Sequence, residues 1–486
     1  MNRRNFLVRA ALAGSATAAF PIRSRAQGDV NSEIRLALIG CGSRGNSLLG
    51  SVEKAVSLGN KARLVLACDA DLARARQTAS KRGNLPVEQD YRRVLERKDI
   101  DAVIIATPNH LHCLVAASAC VAGKDAYVEK PLSHCVAEGR ALAAVVARTK
   151  RVVQCGLQHR SDTGLDPTRD FVKEGSLGRL LAVHAFWYRL RQPIGKVTAP
   201  TPIPPDVDYN LFCGPRPVVP LMRKNLHYDW HWQRPYGNGE FGNSVVHQLD
   251  HTHHLLGIKT HPAAVRSFGA RFLWDDDGET PNTLLAAFTY PGFEAIPYTV
   301  EIRNLPLSPE HSDMEARFMK KTVGTFLLFE GGHVFFDRGG GYAADKDGKK
   351  IKKFPGDAGA THMANFLECV AARKPGKLNC PVEEAHRSST ACHLADLSHV
   401  TGTGGHDLAS LEKDPPPELA RAAEAMASFK EHLGVNNIDF KKYPLHVGAA
   451  LRFDPTTERF TGGGEATRKA NALLADTYRA PFTLPR

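Results

Sequence analysis

The sequence lacks the paired cysteines that mark redox motifs and many zinc sites. Its 10 cysteines are scattered along 486 residues, and no two of them form a Cys-x-x-Cys pair. Cys68, Cys120 and Cys155 lie within apolar runs, which predicts that they are small buried hydrophobic side chains. The cysteines therefore give no support to a thiol-based function.

The chain also lacks any block of lysine and arginine interleaved with aromatic residues, and it has no internal repeats. The net charge of +12 includes five arginines within the first 27 residues, so the remainder carries 58 − 51 = +7. This mild charge is spread along the chain, which argues against nucleic-acid binding. The length and an apolar content of 43% suit a globular protein of two domains.

Residues 1–27 have the pattern of a secretory signal, with a charged start, a short apolar middle and a small-residue exit. Arg3 and Arg4, followed by Phe6 and Leu7, resemble the twin-arginine class of signal. The apolar middle is too short and too rich in alanine and glycine for a stable membrane span. We therefore expect export through the twin-arginine pathway to the periplasm and no stable membrane insertion.

Two kinds of strand pattern predict two domains. Short apolar runs alternate with helical stretches up to Gly156, which is typical of a doubly wound parallel Rossmann sheet. Beyond residue 157, longer runs of alternating polarity predict an α+β domain with a large open, mostly antiparallel sheet. The predicted segments are a Rossmann domain over 32–156, a substrate and oligomerisation domain over 157–402, a surface insertion over 403–450 and a tail over 451–486 that packs on the body.

A glycine-rich turn follows the first apolar run, Ile34–Ile39. Gly40, Gly42 and Gly45 form a GxGxxG pattern that opens a helix, and this context predicts a dinucleotide pyrophosphate at the helix N-terminus beside Ser43 and Arg44. Asp69 ends the second predicted strand, where a carboxylate accepts hydrogen bonds from a ribose 2′-hydroxyl. This arrangement favours NAD over NADP, although Arg44 and Arg74 could accommodate a 2′-phosphate.

Further polar residues follow later strands at the same sheet edge. Thr107 and Asn109 leave one strand, where they would either touch the nicotinamide-side ribose or form a turn with Asn109 capping the next helix. Glu129 and Lys130 leave the next strand, Ala126–Val128. An amine at this edge points into the ligand crevice and can take part in proton chemistry beside a nicotinamide ring.

These residues resemble the Gfo/Idh/MocA oxidoreductases, a family that includes glucose–fructose oxidoreductase and inositol dehydrogenase. The resemblance rests on Gly40–Gly45, 107–112, Glu129-Lys130-Pro131, 158–161 and Gly237–Asp250. It implies that Lys130 contacts the substrate hydroxyl and the cofactor ribose, and that His247 moves the proton. It also implies cofactor contacts for His112 and Gln158, and substrate contacts for Arg160 and Asp250.

The sequence departs from the family pattern at one position. The family aspartate four residues before the histidine is Asn243 here, and an amide orients a hydroxyl but cannot take its proton. The proton chemistry is therefore expected to fall on His247 and Lys130.

The segment around His247 carries more imidazoles than one reaction needs. His247, Asp250, His251 and His254 share one helix face, so a metal site is an alternative, while the family resemblance explains His247 and Asp250 without a metal. His253 is expected at the surface. Upstream, His227–Trp232 is rich in aromatic residues that suit either sugar stacking or a packed loop, with Trp230 and His231 as the expected pocket residues.

The expected compartment restricts the reaction. An exported enzyme has no free NAD pool, so it would carry its cofactor with it and use it without net consumption. One such reaction oxidises one sugar and reduces another. A second oxidises a glycoside transiently, so that the glycosidic bond eliminates, water adds and hydride returns. A non-catalytic exported carbohydrate-binding protein is a third possibility, and the resemblance also implies a homo-oligomer.

Overall fold

The computed structural model describes residues 33–409 and 423–485. The first half is a six-stranded parallel sheet in the order β3-β2-β1-β4-β5-β6. Its strands are β1 Ile34–Ile39, β2 Ala62–Cys68, β3 Val87–Glu88, β4 Ala102–Ile105, β5 Asp125–Val128 and β6 Val153–Cys155. The central strands are buried along most of their length, as expected of a sheet with helices on both faces. The predicted Rossmann sheet is confirmed.

Five helices accompany this sheet: α1 Ser43–Ser57, α2 Leu72–Ser80, α3 Tyr91–Glu96, α4 His112–Val121 and α5 Val136–Thr149. Side-chain caps define two of the helix starts. Asp71 accepts hydrogen bonds from the backbone N–H groups of Ala73 and Arg74, and Asp90 accepts one from Arg92. Each cap follows a strand of the sheet closely, so it fixes where the chain turns from the ligand edge into a helix.

The second half contains a large, mostly antiparallel sheet, as predicted. Its main path runs β16-β15-β14-β13-β7-β10-β9-β8-β18-β17, and only β7 and β10 pair in parallel. The strands are β7 Leu180–Tyr188, β8 Ala264–Ala270, β9 Thr283–Thr289, β10 Tyr298–Arg303, β11 Pro306–Ser308, β12 His311–Glu315, β13 Val323–Phe329, β14 Gly332–Asp337, β15 Gly340–Asp345, β16 Lys350–Pro355, β17 Thr403–His406, β18 Leu445–Val447, β19 Leu451–Asp454 and β20 Arg459–Thr461. The short pair β11–β12 forms a separate hairpin.

The second half also contains helices, and some of them pack against the Rossmann half. The helices are α6 Leu165–Glu174, α7 Tyr209–Cys213, α8 Gly239–Asn243, α9 Val246–Leu256, α10 His362–Ala372, α11 Val382–Thr401, α12 Ala423–Val435 and α13 Glu465–Ala472. In α10, Met363, Phe366 and Leu367 are buried against apolar residues of the Rossmann half, including Leu48 of α1. This packing fixes the second half relative to the ligand edge of the parallel sheet.

The described part of 403–450 takes part in the fold through β17, β18 and α12. Strand β18 pairs with β8, and α12 buries Met426 and Phe429 against Phe268 of the large sheet. In the tail, Phe453, Phe460 and Phe482 are buried in the main core. The predicted signal over 1–27 lies outside the described residues. None of the helices in residues 33–409 and 423–485 combines the length and hydropathy of a bilayer span.

Candidate active site

The glycine-rich turn after β1 adopts the shape that a dinucleotide pyrophosphate needs. Gly40 has φ +98°, and a Cβ on it would lie 2.4 Å from the carbonyl oxygen of Ala106. A Cβ on Gly45 would lie 2.0 Å from the Gly40 carbonyl oxygen. Gly42 is the residue before α1, and Ser43 and Arg44 open that helix. The close backbone approach and the helix N-terminus together fit a bound pyrophosphate.

Asp69 follows β2 and lies beside this turn. Its carboxylate accepts the backbone N–H groups of Cys41 at 2.7 Å and Asp71 at 2.9 Å. Burial raises the pKa of Asp69, while these two hydrogen bonds lower it. Each carboxylate oxygen can accept a second hydrogen bond, so Asp69 can still bind a ribose hydroxyl.

A cavity of about 720 Å³ runs along this edge of the parallel sheet. One wall comes from the Rossmann half, including Gly40, Asp69, Thr107, Glu129 and Lys130. The rest of the lining comes from the second half, including Asn243. This part of the lining contains Thr201, Pro202, Pro204, Leu211, Phe212, Leu221, Lys224, Asn225, Leu226, His227, Tyr228, Trp230 and His231. The volume suits a nucleotide-sized ligand enclosed between the two halves.

Lys130 projects from the end of β5 into this cavity. Its Nζ donates to the Asn243 backbone oxygen at 2.5 Å and to Asn243 Oδ1 at 3.3 Å. Burial lowers the pKa of Lys130, and the neighbouring Glu129 carboxylate raises it. Glu129 is itself paired with Arg44, whose Nη2 lies 2.6 Å from Glu129 Oε1. The structure thus brings Lys130 and Asn243 together, as the sequence predicted, and joins Glu129 to the glycine-rich turn.

Three residues after β4 also reach the cavity. Thr107 Oγ1 is buried without a hydrogen-bond partner among the described residues, which leaves it available to a ligand. Asn109 Nδ2 donates to Asn238 Oδ1 at 3.0 Å rather than capping α4. The ring nitrogens of His112 lie 2.7 Å and 2.9 Å from the carbonyl oxygens of Pro131 and Thr107. His112 therefore holds the two strand ends together at the cavity wall.

Arg160 and Asp250, both expected at the substrate, are paired with each other. Arg160 Nε and Nη2 donate to the Asp250 carboxylate at 2.7 Å and 2.8 Å, and both side chains are nearly fully buried. Neither residue lines the cavity described above, and Gln158 does not line it either. The ion pair joins α9 to the chain that follows β6, and the substrate contacts expected of Arg160 and Asp250 stay a prediction.

His247 lies at the start of α9 and is 6% exposed. Its ring stacks on His159 with centroids 4.4 Å apart, and its Nδ1 is buried without a hydrogen-bond partner among the described residues. Burial and the nearby His159 and Lys130 lower the pKa of His247 well below its ordinary value. The charge of Lys130 acts on the His247 ring, but His247 does not line the cavity.

His251 and His254 of α9 have separate partners. His251 Nε2 lies 2.9 Å from His159 Nδ1, and His254 Nε2 lies 2.7 Å from Asp166 Oδ1. The expectation that His253 lies at the surface is wrong. His253 is 1% exposed, and its Nε2 lies 2.7 Å from the Tyr290 hydroxyl because α9 packs against the large sheet on that side.

Trp230 and His231 line the same cavity as Lys130 and Asn243. Their rings stack with centroids 3.7 Å apart, and His231 Nδ1 lies 2.6 Å from the Tyr228 carbonyl oxygen. Gly237 allows this packing, because a Cβ there would lie 2.5 Å from the His231 carbonyl oxygen. Of the two uses considered for the aromatic segment, the geometry supports a role in the pocket for both residues.

The sequence analysis did not identify the residues that enclose the adenosine end of the cavity. Within segment 201–232, here called the cover segment, the sequence analysis singled out only the aromatic stretch His227–Trp232. The cover segment contacts the Rossmann half through Leu72 N–H, which donates to Asp206 O at 2.9 Å, and Asp208 N–H, which donates to Ala70 O at 2.8 Å. His227 Nε2 lies 2.8 Å from Asp71 Oδ2. The adjacent prolines, which favour extended chain, were the available signal.

Residues 34–157 match the family described as "Oxidoreductase family, NAD-binding Rossmann fold", the Gfo/Idh/MocA family. Inositol 2-dehydrogenase 4 of Saccharopolyspora erythraea is 32% identical over 166 residues, 34% of this chain and 48% of that protein. Levoglucosan dehydrogenase of Pseudarthrobacter phenanthrenivorans is 27% identical over 169 residues, 35% of this chain and 36% of that protein. The chain thus spans about half or less of the length of these curated relatives.

Solved structures extend the similarity in fold beyond the Rossmann half. A levoglucosan dehydrogenase in complex with NADH and levoglucosan has a TM-score of 0.54 at 17% identity, covering 75% of this chain and 96% of that one. The WlbA dehydrogenase of Bordetella pertussis, in complex with NADH and UDP-GlcNAcA, has a TM-score of 0.55 at 17% identity, with the same coverage. The two-part fold of this chain is therefore that of these dehydrogenases.

Proposed function

We propose that this chain, whose residues 34–157 belong to the Gfo/Idh/MocA oxidoreductases, oxidises a hydroxyl of a sugar or sugar derivative with a tightly held nicotinamide dinucleotide. The observation that carries the proposal is one continuous cavity that joins the glycine-rich turn to Lys130 and Asn243. The curated relatives named for inositol and levoglucosan support a polyol or sugar as substrate.

The residues around Lys130 are suited to hold and polarise a hydroxyl. A bound dinucleotide supplies the hydride acceptor. Lys130 Nζ has three donor positions and uses acceptors on Asn243 in the absence of substrate, so a hydroxyl oxygen can replace one of them. The Asn243 amide orients the same hydroxyl, and Trp230 offers an indole face near it for the apolar side of a sugar ring.

The cover segment supports slow release of the dinucleotide. It pairs with the chain after β2 at Asp71 and Val207, and it buries its own apolar cluster of Val207, Phe212, Leu221, Leu226, Trp230 and Tyr236. A nucleotide under this segment could leave only after these contacts separate. Retention of the cofactor matches the expected export in a twin-arginine pathway, where the protein folds before it crosses the membrane.

A retained cofactor in the periplasm favours reactions without net redox change. In the first candidate, one sugar hydroxyl becomes a carbonyl and a second sugar receives the two electrons. In the second, a glycoside is oxidised transiently, the acidified neighbouring C–H loses its proton, the glycosidic bond breaks, water adds and the carbonyl is reduced again. We place sugar–sugar oxidoreduction first. Release of a free sugar from a methyl glycoside would favour the hydrolytic reaction.

We propose NAD rather than NADP as the dinucleotide. A 2′-phosphate would meet the Asp69 carboxylate at the end of β2, where a free 2′-hydroxyl can donate to it. Arg74 lines the same end of the cavity, but its Nε lies 3.8 Å from Asp71 Oδ2, so part of its charge is already balanced. We also propose a homo-oligomer built on the open sheet, which light scattering on the purified protein would test.

The first experiment is to release any nucleotide from the freshly purified mature protein with acid and to identify it by chromatography. We expect close to one NAD or NADH per chain. The loaded protein is then mixed with myo-inositol, levoglucosan and methyl glucosides, and NADH absorbance is followed. Steady NADH release that depends on added NAD would contradict retention. A protein that holds no nucleotide, even after incubation with NAD, would instead be a carbohydrate-binding protein.

A further inference from the structure

The cavity end near Lys130 needs a group that can accept a proton. Removing a hydride from a carbinol carbon leaves a carbonyl only if the hydroxyl proton departs to a base. The Asn243 amide cannot take that proton. Lys130 Nζ already donates to two oxygens of Asn243, so the structure uses it as a donor.

The carboxylates and the other histidines of the cavity lining already have partners. Glu129 is bound by Arg44 at 2.6 Å, and His112 has a carbonyl oxygen against each ring nitrogen. At the adenosine end, Asp69 accepts two backbone N–H groups, and His227 faces Asp71 at 2.8 Å. Each of these groups therefore already has a fixed partner, and for Glu129 that partner is the cationic Arg44 guanidinium.

His231 differs because one of its ring nitrogens has a fixed partner and the other has none among the described residues. Nδ1 lies 2.6 Å from the Tyr228 carbonyl oxygen, and a carbonyl only accepts, so Nδ1 carries the hydrogen. In the neutral ring, Nε2 therefore keeps its lone pair. Stacking on Trp230 at 3.7 Å holds the ring in the cavity wall. The tautomer and the orientation suit a base.

The surroundings of His231 keep the ring neutral and place a carboxylate near it. Burial lowers the pKa of His231 to about 4, and Lys130 and Arg191 act in the same direction, so the ring is neutral at physiological pH. Glu240, in α8, opposes them and raises the pKa. The Glu240 carboxylate is paired with Arg191 Nη2 at 2.8 Å and accepts from Ser244 Oγ at 2.5 Å, so it is a fixed negative group that can stabilise an imidazolium formed during the reaction.

We propose that His231 is a catalytic residue whose Nε2 accepts the substrate hydroxyl proton, with Lys130 and Asn243 holding the hydroxyl oxygen. This inference rests on the proposed function. The O–H bond breaks and an N–H bond forms at Nε2. The former O–H electron pair becomes the second C–O bond, and the carbinol hydrogen leaves with its electron pair to the nicotinamide dinucleotide named above. The reverse proton transfer accompanies reduction of a carbonyl.

The first test does not depend on a substrate. Long-range ¹H–¹⁵N spectra of the histidine rings, with His231 assigned by comparison with the His231→Gln variant, report which ring nitrogen carries the hydrogen. We expect an Nδ1–H tautomer that stays neutral down to about pH 4. An Nε2–H tautomer, or a ring that is already charged at neutral pH, would overturn the proposal even if the protein oxidises sugars.

The second test is turnover of the NAD-loaded protein with myo-inositol, levoglucosan and methyl glucosides. His231→Ala is expected to reduce the rate of hydride transfer by roughly 10²- to 10⁴-fold without loss of bound nucleotide, and added imidazole should restore part of that rate. His311→Ala, at an exposed histidine of β12, is the control. Full activity of His231→Ala would refute the role of His231. A wild-type protein that reduces no bound NAD with any of these probes would instead refute the proposed function. In that case the ring spectra would decide on His231.

Discussion

At the scale of single residues, the site depends on a few side chains at the ends of β1, β2, β4 and β5. Lys130 shows this most clearly. It is half-buried, and among the described residues its amine has acceptors on Asn243, which lies in α8 of the other half. An amine that both halves hold in place is suited to respond to a substrate bound between them.

Replacing Lys130 with methionine should abolish hydride transfer while leaving the nucleotide bound. Methionine keeps the length of the side chain but removes the donor, so the rate of NAD reduction by a sugar should fall by at least about 10²-fold. Lys124→Met is the control, because Lys124 is buried and donates to the carbonyl oxygens of Arg97 and Ile100, outside the cavity lining. Equal rates for the wild type and Lys130→Met, measured by stopped-flow absorbance, would remove Lys130 from the reaction.

Gly40→Ala should release the nucleotide and destabilise the protein. Alanine at φ +98° is strained by about 1–2 kcal/mol, and its Cβ would lie 2.4 Å from the Ala106 carbonyl oxygen. Gly50→Ala in α1 is the matched control, since a Cβ there meets no atom within 4 Å and a helix gains about 0.5–1 kcal/mol from the change. The thermal unfolding temperature should fall for Gly40→Ala and rise slightly for Gly50→Ala. Bound nucleotide should be lost only from Gly40→Ala.

At the scale of elements, the cover segment links the two halves over the adenosine end of the cavity. Val207 is 9% exposed and lies in the apolar cluster of this segment, while its backbone bridges to Asp71. The cluster does not depend on the nucleotide. Its packing therefore holds the segment against the Rossmann half whether or not a nucleotide is bound.

Val207→Ala should speed nucleotide release. Removing two buried methyl groups costs about 1–2 kcal/mol, which corresponds to release about 5- to 30-fold faster if opening limits dissociation. Val218→Ala, in the same segment but with a side chain that is 51% exposed, should leave the rate unchanged. Dissociation can be followed by dilution of the NADH-loaded protein into excess NAD. Identical rates for the two variants would show that the cover segment does not gate release.

Local patterns were enough to predict the Rossmann half and the positions of Gly40 and Lys130, because each follows a short apolar run that ends at the same sheet edge. The partners of Arg160 and Asp250 could not be predicted in this way. Their pairing depends on how α9 packs on the Rossmann half, and a helix-face argument shows only which residues of α9 are neighbours. The cover segment was missed for the same reason, since Val207 and Asp71 are distant in sequence.

At the scale of the whole molecule, the fold buries many neutral histidines. Burial lowers the pKa of His184, His251, His253 and His393 to about 3, and that of His362, His399 and His432 to about 4. In the unfolded chain these rings have a pKa of about 6.5. Below that pH these histidines bind protons in the unfolded chain but stay neutral in the folded chain. The free energy of unfolding therefore falls as the pH falls.

We expect the protein to lose stability steeply between about pH 6.5 and about pH 4.5. Each buried neutral histidine removes about 1.4 kcal/mol per pH unit in this window, and several together exceed the roughly 5–15 kcal/mol of a typical domain within about two pH units. Urea unfolding at a series of pH values would measure the slope. His184→Phe should reduce it by one proton, because His184 stacks on Phe186 with centroids 5.4 Å apart and its partner Thr299 also bonds the Val183 carbonyl oxygen. His311→Phe, at an exposed site, should leave the slope unchanged. A urea midpoint independent of pH across this range would show that these rings are protonated in the folded protein.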